Sequence, residues 1–435
     1  MPSTRSARTT KVKSFALGVI LFAPLALVTD IQRSLETTNL VALLLGCAPL
    51  FAATIASIPA HVLPIPTQVD PLTPIRGTAT LLGVGAVMTA GAPSSALAAV
   101  GLALIGAGAG WLLRPTVETR PLLTGFVVGP MIGTVIAGVH WRIYVAAVIA
   151  TAVLAVLAAL LPGDDVPVQA VDDDRFDRRT SRFARALVVV SAPIGVLGST
   201  LILRASDLLV DSALATGVMF SIGGFLGVWR GSSISRRGLH RRSIRQGAWI
   251  SMLASLVGGT LLHLGLVPQA VAGLIAFLVG FGWARVQASL VCMLSRSSPN
   301  VISSVWVRHA MVGCSLGLVA VCTIGREGLI DLVRETAVAY AATDTEVRQL
   351  APAIASLPEA FALADDPRLG RLGGPLRASA FTMAGQHQYL SLLGIAVVSL
   401  LTLVLSLALP RSRSQRSRSA VALQPDRRVT AKDSV

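Results

Sequence analysis

Charged residues are scarce in this 435-residue chain, 14% of the total, where a soluble domain carries roughly 25%. That deficit, set beside 53% hydrophobic residues, excludes a soluble enzyme and a polar, disordered chain alike. Cysteine is sparse too: Cys47, Cys292, Cys314 and Cys322 fall in apolar segments, too far apart for a metal motif or a disulfide framework. Acidic residues number 22 against 37 Lys and Arg, a formal net charge of +15. In a soluble protein that excess would suggest nucleic acid. Here the placement of the charges decides.

What the chain has in quantity is apolar runs. A helix rises 1.5 Å per residue, so about 20 apolar residues cross the hydrocarbon of a bilayer. That length predicts spans near 14–30, 38–58, 77–92, 95–113, 121–139, 143–161, 183–203, 212–229, 246–264, 269–292, 302–324 and 389–409. The third is short and Gly-rich. The first follows Arg5, Arg8, Lys11 and Lys13 as a signal peptide would, yet no small-x-small cleavage site closes it, so it reads as an uncleaved helix.

Twelve spans put both ends of the chain on one side. Tails and loops there hold 26 basic residues, and the short loops opposite hold three, Arg33, Arg142 and Arg204. The positive-inside rule makes the first side cytoplasmic. Dropping the third span would reverse every loop before it. The +15 is therefore topology, and no nucleic-acid partner is needed.

The expected fold class is an all-α integral membrane protein of the cell membrane, a monomer with twelve transmembrane helices in two six-helix bundles. Its parts are a basic cytoplasmic tail (1–13), a first bundle (14–161), a charged cytoplasmic linker (162–182), a second bundle (183–409) and a basic tail (410–435). Two bundles joined by a linker suit a rocking transporter with its site between the halves. The run Asp172–Asp174 has no companion acidic cluster for a metal–nucleotide site and reads as solvated linker. The outer segment 326–388 shows helix-like spacing over 326–341 and 345–364, predicting short helices over the second bundle. Arg411, Arg413, Arg416 and Arg418 make the final tail a partner for anionic lipid heads, at about 1 kcal/mol per basic residue.

Gly125, Gly129 and Gly133 recur every four residues in span five, on one face, where a neighbouring helix can approach to backbone contact. Pro130 removes a donor beside that seam and bends the helix. Simple tight packing would account for the pattern. With Trp141-Arg142 opening span six, it also resembles the antiporter signature of the major facilitator superfamily, most closely the multidrug:proton antiporter branch that usually has fourteen helices. Asp30-Ile31-Gln32-Arg33-Ser34-Leu35 is similar to that branch's entry to the first outer loop. Gly231, Arg236, Arg237 and Gly238, with Arg241 and Arg242, resemble the superfamily's cytoplasmic loop between spans eight and nine, and Gly106 and Gly110 fit a further motif. Ala380-Phe381, before the last span, is also similar to that branch.

The departures matter equally. Where the family's embedded acid would fall in span one stands Ile20; where its span-four Arg would fall stands Leu102; Ser235 replaces the loop acid. Proton coupling needs a buried group that changes charge, usually a carboxylate, and none lies well inside a span. Protons as a coupling ion are left open. The ionisable and polar groups at depth are Arg285 with Gln287 in span ten, and Arg308 with His309 in span eleven. A central Arg costs about 2.5–3.5 kcal/mol unless paired or wetted. Arg285 thus faces a cavity or is satisfied by carbonyls, while Arg308 can snorkel to the interface. The resemblance implies a transporter of small molecules working by alternating access, an exporter of apolar or anionic compounds. It implies no catalytic residue, cofactor or metal. The competing class is a transporter-like scaffold that moves nothing; a membrane-embedded transferase ranks behind both.

Overall fold

A long apolar run can satisfy its own backbone N–H and C=O groups, without water, only as a helix. The computed structural model describes residues 4–28, 39–56, 73–113, 119–137, 140–160, 178–198, 210–236, 239–264, 269–297, 308–314 and 373–409, with isolated residues between them. Those residues form α1 (Thr4–Phe22), α2 (Asn39–Ala56), α3 (Thr73–Ala90), α4 (Ser95–Leu112), α5 (Thr119–Ala137) and α6 (Tyr144–Leu160). They continue with α7 (Arg178–Ser191), α8 (Val210–Arg236), α9 (His240–His263), α10 (Gln269–Ser297), α11 (308–314) and α12 (Gly373–Leu407). No strand occurs among the described residues. Among the described residues, four stretches, Ser95–Leu112, Ser181–Gly198, Val271–Leu294 and Gln388–Leu407, are long and apolar enough to cross a membrane.

The helices outrun the apolar spans at several ends. Helix α1 starts within the basic tail, α7 within the expected linker, and α8 runs on past 229 to Arg236. Helix α12 begins at Gly373, so part of the expected outer segment continues the last helix. Hydropathy measures only the apolar stretch, whereas hydrogen bonding carries a helix on into polar turns. The short helices expected over 326–341 and 345–364, the linker up to 177 and the final tail lie outside the described residues.

The packing repeats. Helix α1 lies on α5, α2 on α4, α3 on α4 and α6, and α1 on α6. The second half echoes this with α8 on α10, α9 on α10 and α12, and α7 on α12. Gly313 of α11 backs onto Val189 of α7 and Ala192 just beyond its end, completing the counterpart of the α1–α5 pair. The two halves therefore share one packing scheme.

Glycine lets these helices touch. A Cβ on Gly125 would strike the Phe15 carbonyl, one on Gly129 would lie 2.9 Å from the Phe22 Cβ, and one on Gly133 would lie 2.5 Å from the Ala23 carbonyl oxygen. All three neighbours belong to α1 or the 3-10 turn Ala23–Ala26 that ends it. Gly18 of α1 meets the Leu122 carbonyl in return. The seam predicted in span five is therefore the α1–α5 contact.

Prolines open specific acceptors. Pro24 has no N–H to give the Ile20 carbonyl four residues back, and the buried Tyr144 hydroxyl donates to that oxygen instead, at 2.8 Å. This ties α6 to α1. Just before α6, the Arg142 guanidinium donates to the Ala92 carbonyl in the α3–α4 turn at 3.0 Å.

Gly125→Leu should destabilise the protein by about 1–3 kcal/mol through overpacking. Gly83→Leu, at a position with nothing within 4 Å of its Cβ, should change stability by less than about 0.5 kcal/mol. Thermal unfolding in detergent checks the pair.

Candidate functional site

The two halves meet along α5, which packs on α8 and α10. A Cβ on Gly224 of α8 would strike the Val127 side chain of α5. One turn earlier, Ser221 Oγ donates to the Val127 carbonyl at 3.0 Å. Pro130 cannot donate to the Phe126 carbonyl, and the next carbonyl along, that of Val127, is the one that takes the serine of the opposite half.

Around this contact lies a layer of aromatic rings. Within the first half, Phe22 meets Phe126 edge-on at 4.9 Å. Across the halves, Phe126 meets Trp306 edge-on at 5.0 Å, and Phe22 stacks on Trp283 at 6.2 Å with 26° between planes. Phe220 of α8 stacks on the same indole at 6.1 Å. Small residues make room for these rings. A Cβ on Gly195 would come within 2.6 Å of Trp283, and one on Gly198 within 2.7 Å of Phe220.

The rings enclose a cavity of about 10 Å³, lined by Phe22, Phe126, Ala192, Trp283, Gln287, Trp306, Ala310, Met311 and Cys314. That is about the room of one water, so the rings leave little space between them here. Gln287 is 1% exposed and bridges three helices: its Nε2 donates to Ser191 Oγ and its Oε1 accepts from Trp306 Nε1, both at 3.0 Å. Trp283 is 3% exposed, and its indole N–H has no acceptor among the described residues.

Arg285 and Gln287, read together from the sequence as cavity groups, point in different directions. Two residues on a helix are about 200° apart, whereas Trp283 and Gln287, four apart, share a face. Arg285 is 6% exposed and turns to α9, where its guanidinium donates to Gln246 Oε1 and, at 3.4 Å, to Ser243 Oγ. Ser289 adds a 2.8 Å bond to Ser243, and the Phe281 ring lies 5.9 Å from the guanidinium carbon. Arg285 thus belongs to a polar seam inside the second half and does not line the cavity. Neutral oxygens and a ring solvate it in place of water.

Arg308 and His309 stand half-buried on α11, one turn before the cavity-lining Met311 and Cys314, with Arg185 of α7 within electrostatic reach of Arg308. Gly231 of α8 lets α10 approach: a Cβ there would come within 2.8 Å of the Arg285 carbonyl. In the basic loop that follows, Arg241 acts on a helix end. Its guanidinium donates to the Ser406 carbonyl at 3.2 Å and to the Leu407 carbonyl, at the negative C-terminus of α12. Asp30, Arg33, Arg237 and Gly238 lie outside the described residues, as does the side chain of Arg236.

Sequence reasoning missed the rings, along with Ser191, Ser221 and Gly224. The signal within reach was local: Trp283-x-x-x-Gln287 puts an indole and an amide on one face of an otherwise apolar helix.

No protein-family model and no curated protein matches the sequence. Solved structures do match the fold. A bacterial homolog of the human lysosomal transporter Spinster, in an inward-facing and occupied conformation, superimposes with a TM-score of 0.66 at 12% identity, covering 92% of this chain and 96% of that one. The major facilitator superfamily transporter FucP in the outward conformation gives 0.50 at 15% identity, over 92% and 99%. A mutant of the nucleoside transporter NupG gives 0.50 at 11%, over 91% and 99%. Over nearly its whole length the chain has the major facilitator fold.

Proposed function

We propose that this chain is a twelve-span, multi-pass transporter of the cell membrane with both termini cytoplasmic, which exports small, largely apolar molecules by alternating access. The single observation that carries the reading is the ring-lined cavity built jointly by α1 and α5 of one half and α10 and α11 of the other. A site shared between two bodies is exposed to one side or the other as they rock. The span-five signature supports placement near the multidrug antiporters.

The turned-away Arg285 removes the argument for anionic substrates, because the described lining holds no charged side chain. The coupling of the antiporters is not carried over either. Among the described residues the only carboxylate is Asp211, at the start of α8, and a proton cycle needs a titrating group at depth. The second reading, a scaffold that moves nothing, draws on the tightness of that cavity and makes the opposite prediction.

Flux of a panel of neutral and charged dyes from vesicles should be accelerated for neutral dyes and should change less than about twofold when a pH gradient is imposed. Arg285→Met should retain that flux, while Trp283→Ala should lower it about tenfold by removing a wall of the site. No flux for any dye would favour the scaffold, and flux driven by the gradient would restore proton coupling.

A further inference from the structure

The outward side of the second half carries a basic cluster that transport does not use. Helices α8 and α9 both lie on α10, and glycine seats them there. A Cβ on Gly223, Gly227 or Gly231 of α8 would come within 2.8 Å of the Phe277, Phe281 or Arg285 carbonyl oxygen in turn. One on Gly247 of α9 would come within 2.6 Å of the Gly282 carbonyl oxygen. Beside these contacts each helix carries an apolar side chain and then an arginine on the same face: Leu226 and Arg230, Phe281 and Arg285, Trp249 and Arg242. Leu226 and Trp249 are exposed and Phe281 is half-buried, so this face looks outward, as a groove floored by α10. Leu274, two turns before Phe281, continues the floor and is exposed.

The charges converge at one end of that groove. Arg285 is 6% exposed and level with Gly231, just past the apolar run of α8. The exposed Arg230 and Arg242 both stand within electrostatic reach of it. Arg285 spends two of its five N–H groups on Ser243 and Gln246, which are neutral and leave its charge uncancelled. The only carboxylate among the described residues, Asp211, is at the opposite end of α8. The positive-inside bias accounts for basic residues at this end of the helices. It does not account for guanidinium groups from three helices meeting at one point, where like charges repel.

We propose that this groove binds an anionic phospholipid, its phosphate held by Arg230 and Arg242 above the buried charge of Arg285, with an acyl chain along Phe281 and Leu274. Phosphate relieves the repulsion and takes bidentate bonds from guanidinium groups. The floor selects lipid over free phosphate, because an apolar stripe continues directly from the arginines: the Phe281 ring lies 5.9 Å from the Arg285 guanidinium carbon. A zwitterionic headgroup would bring its own cation to a site that already holds three. The proposal requires only that the chain lies in a bilayer, and it stands whether or not the protein transports.

The purified full chain in detergent is titrated with dioleoylphosphatidylglycerol, dioleoylphosphatidylcholine or glycerol 3-phosphate, and native mass spectrometry counts the adducts. The first phosphatidylglycerol should bind at least about fivefold more tightly than the first phosphatidylcholine. Glycerol 3-phosphate should leave no adduct at the same concentrations. Arg230→Gln combined with Arg242→Gln should weaken phosphatidylglycerol about 30-fold, two basic residues' worth, and leave phosphatidylcholine unchanged. Arg120→Gln combined with Arg182→Gln removes the same charge from exposed positions on α5 and α7. That control should change neither lipid by more than about twofold. Should the rim pair fail to fold, Arg230→Gln alone should weaken phosphatidylglycerol about fivefold. Equal affinity for the two lipids, or glycerol 3-phosphate binding as tightly as lipid, would overturn the site. Equal losses from the two double variants would reduce it to bulk attraction by a basic surface and overturn it as well.

Discussion

In hydrocarbon, helices gain nothing from hiding apolar surface, because the lipid is as apolar as they are. They hold together by backbone approach and by satisfying whatever backbone groups a bend sets free. Everything distinctive in this protein follows from that constraint. The α1–α5 seam, with Gly18 facing Gly125 and its successors, brings Phe22 and Phe126 into edge contact. Pro24 ends the straight run of α1 beneath Phe22, and Tyr144 takes up the carbonyl it releases. Gly195 and Gly198 set the opposing indole and phenyl rings in the same way. The glycines and prolines define the geometry, and the aromatic layer is what they position.

Two polar systems coexist in the second half, kept apart by helix geometry. One is the Arg285 seam between α9 and α10, fully inside that half. The other is the chain Ser191–Gln287–Trp306, which ends at the surface shared with the first half. The cation in the first is held by neutral oxygens; the amide in the second ties α10 to Ser191 and Trp306. Their separation by two residues on one helix explains how a protein can bury an arginine near its centre and still present an uncharged cavity. The turn between α8 and α9 follows the same economy of charge: Arg241 settles on the carbonyl end of α12.

Much of this was legible in the sequence. Length and hydropathy place the helices, since backbone satisfaction in an apolar medium leaves no alternative, and even the short Gly-rich third span is a helix, Thr73–Ala90. The glycine spacing in α5 announces a close seam because the period of a helix is fixed. Helix ends were less legible, as the early start of α12 and the long tail of α8 show, because polar turns extend a helix without extending its hydropathy. The site was hardest. Phe22, Phe126, Trp283 and Trp306 look like ordinary apolar residues in four separate spans, and only the docking of two halves makes them one layer. Arg285 drew attention as the rarest residue at depth; its direction depended on Ser243 and Gln246, which nothing in the local pattern marks.

Under the proposed alternating access, the α5–α8 contact at the midline must open and close. Val127→Cys combined with Gly224→Cys, in a chain with its four native cysteines replaced by serine, places two thiols at that contact. In vesicles, oxidation should cross-link the halves and stop dye flux, and reduction should restore it. Flux that continued at full rate through the cross-linked protein would contradict the account.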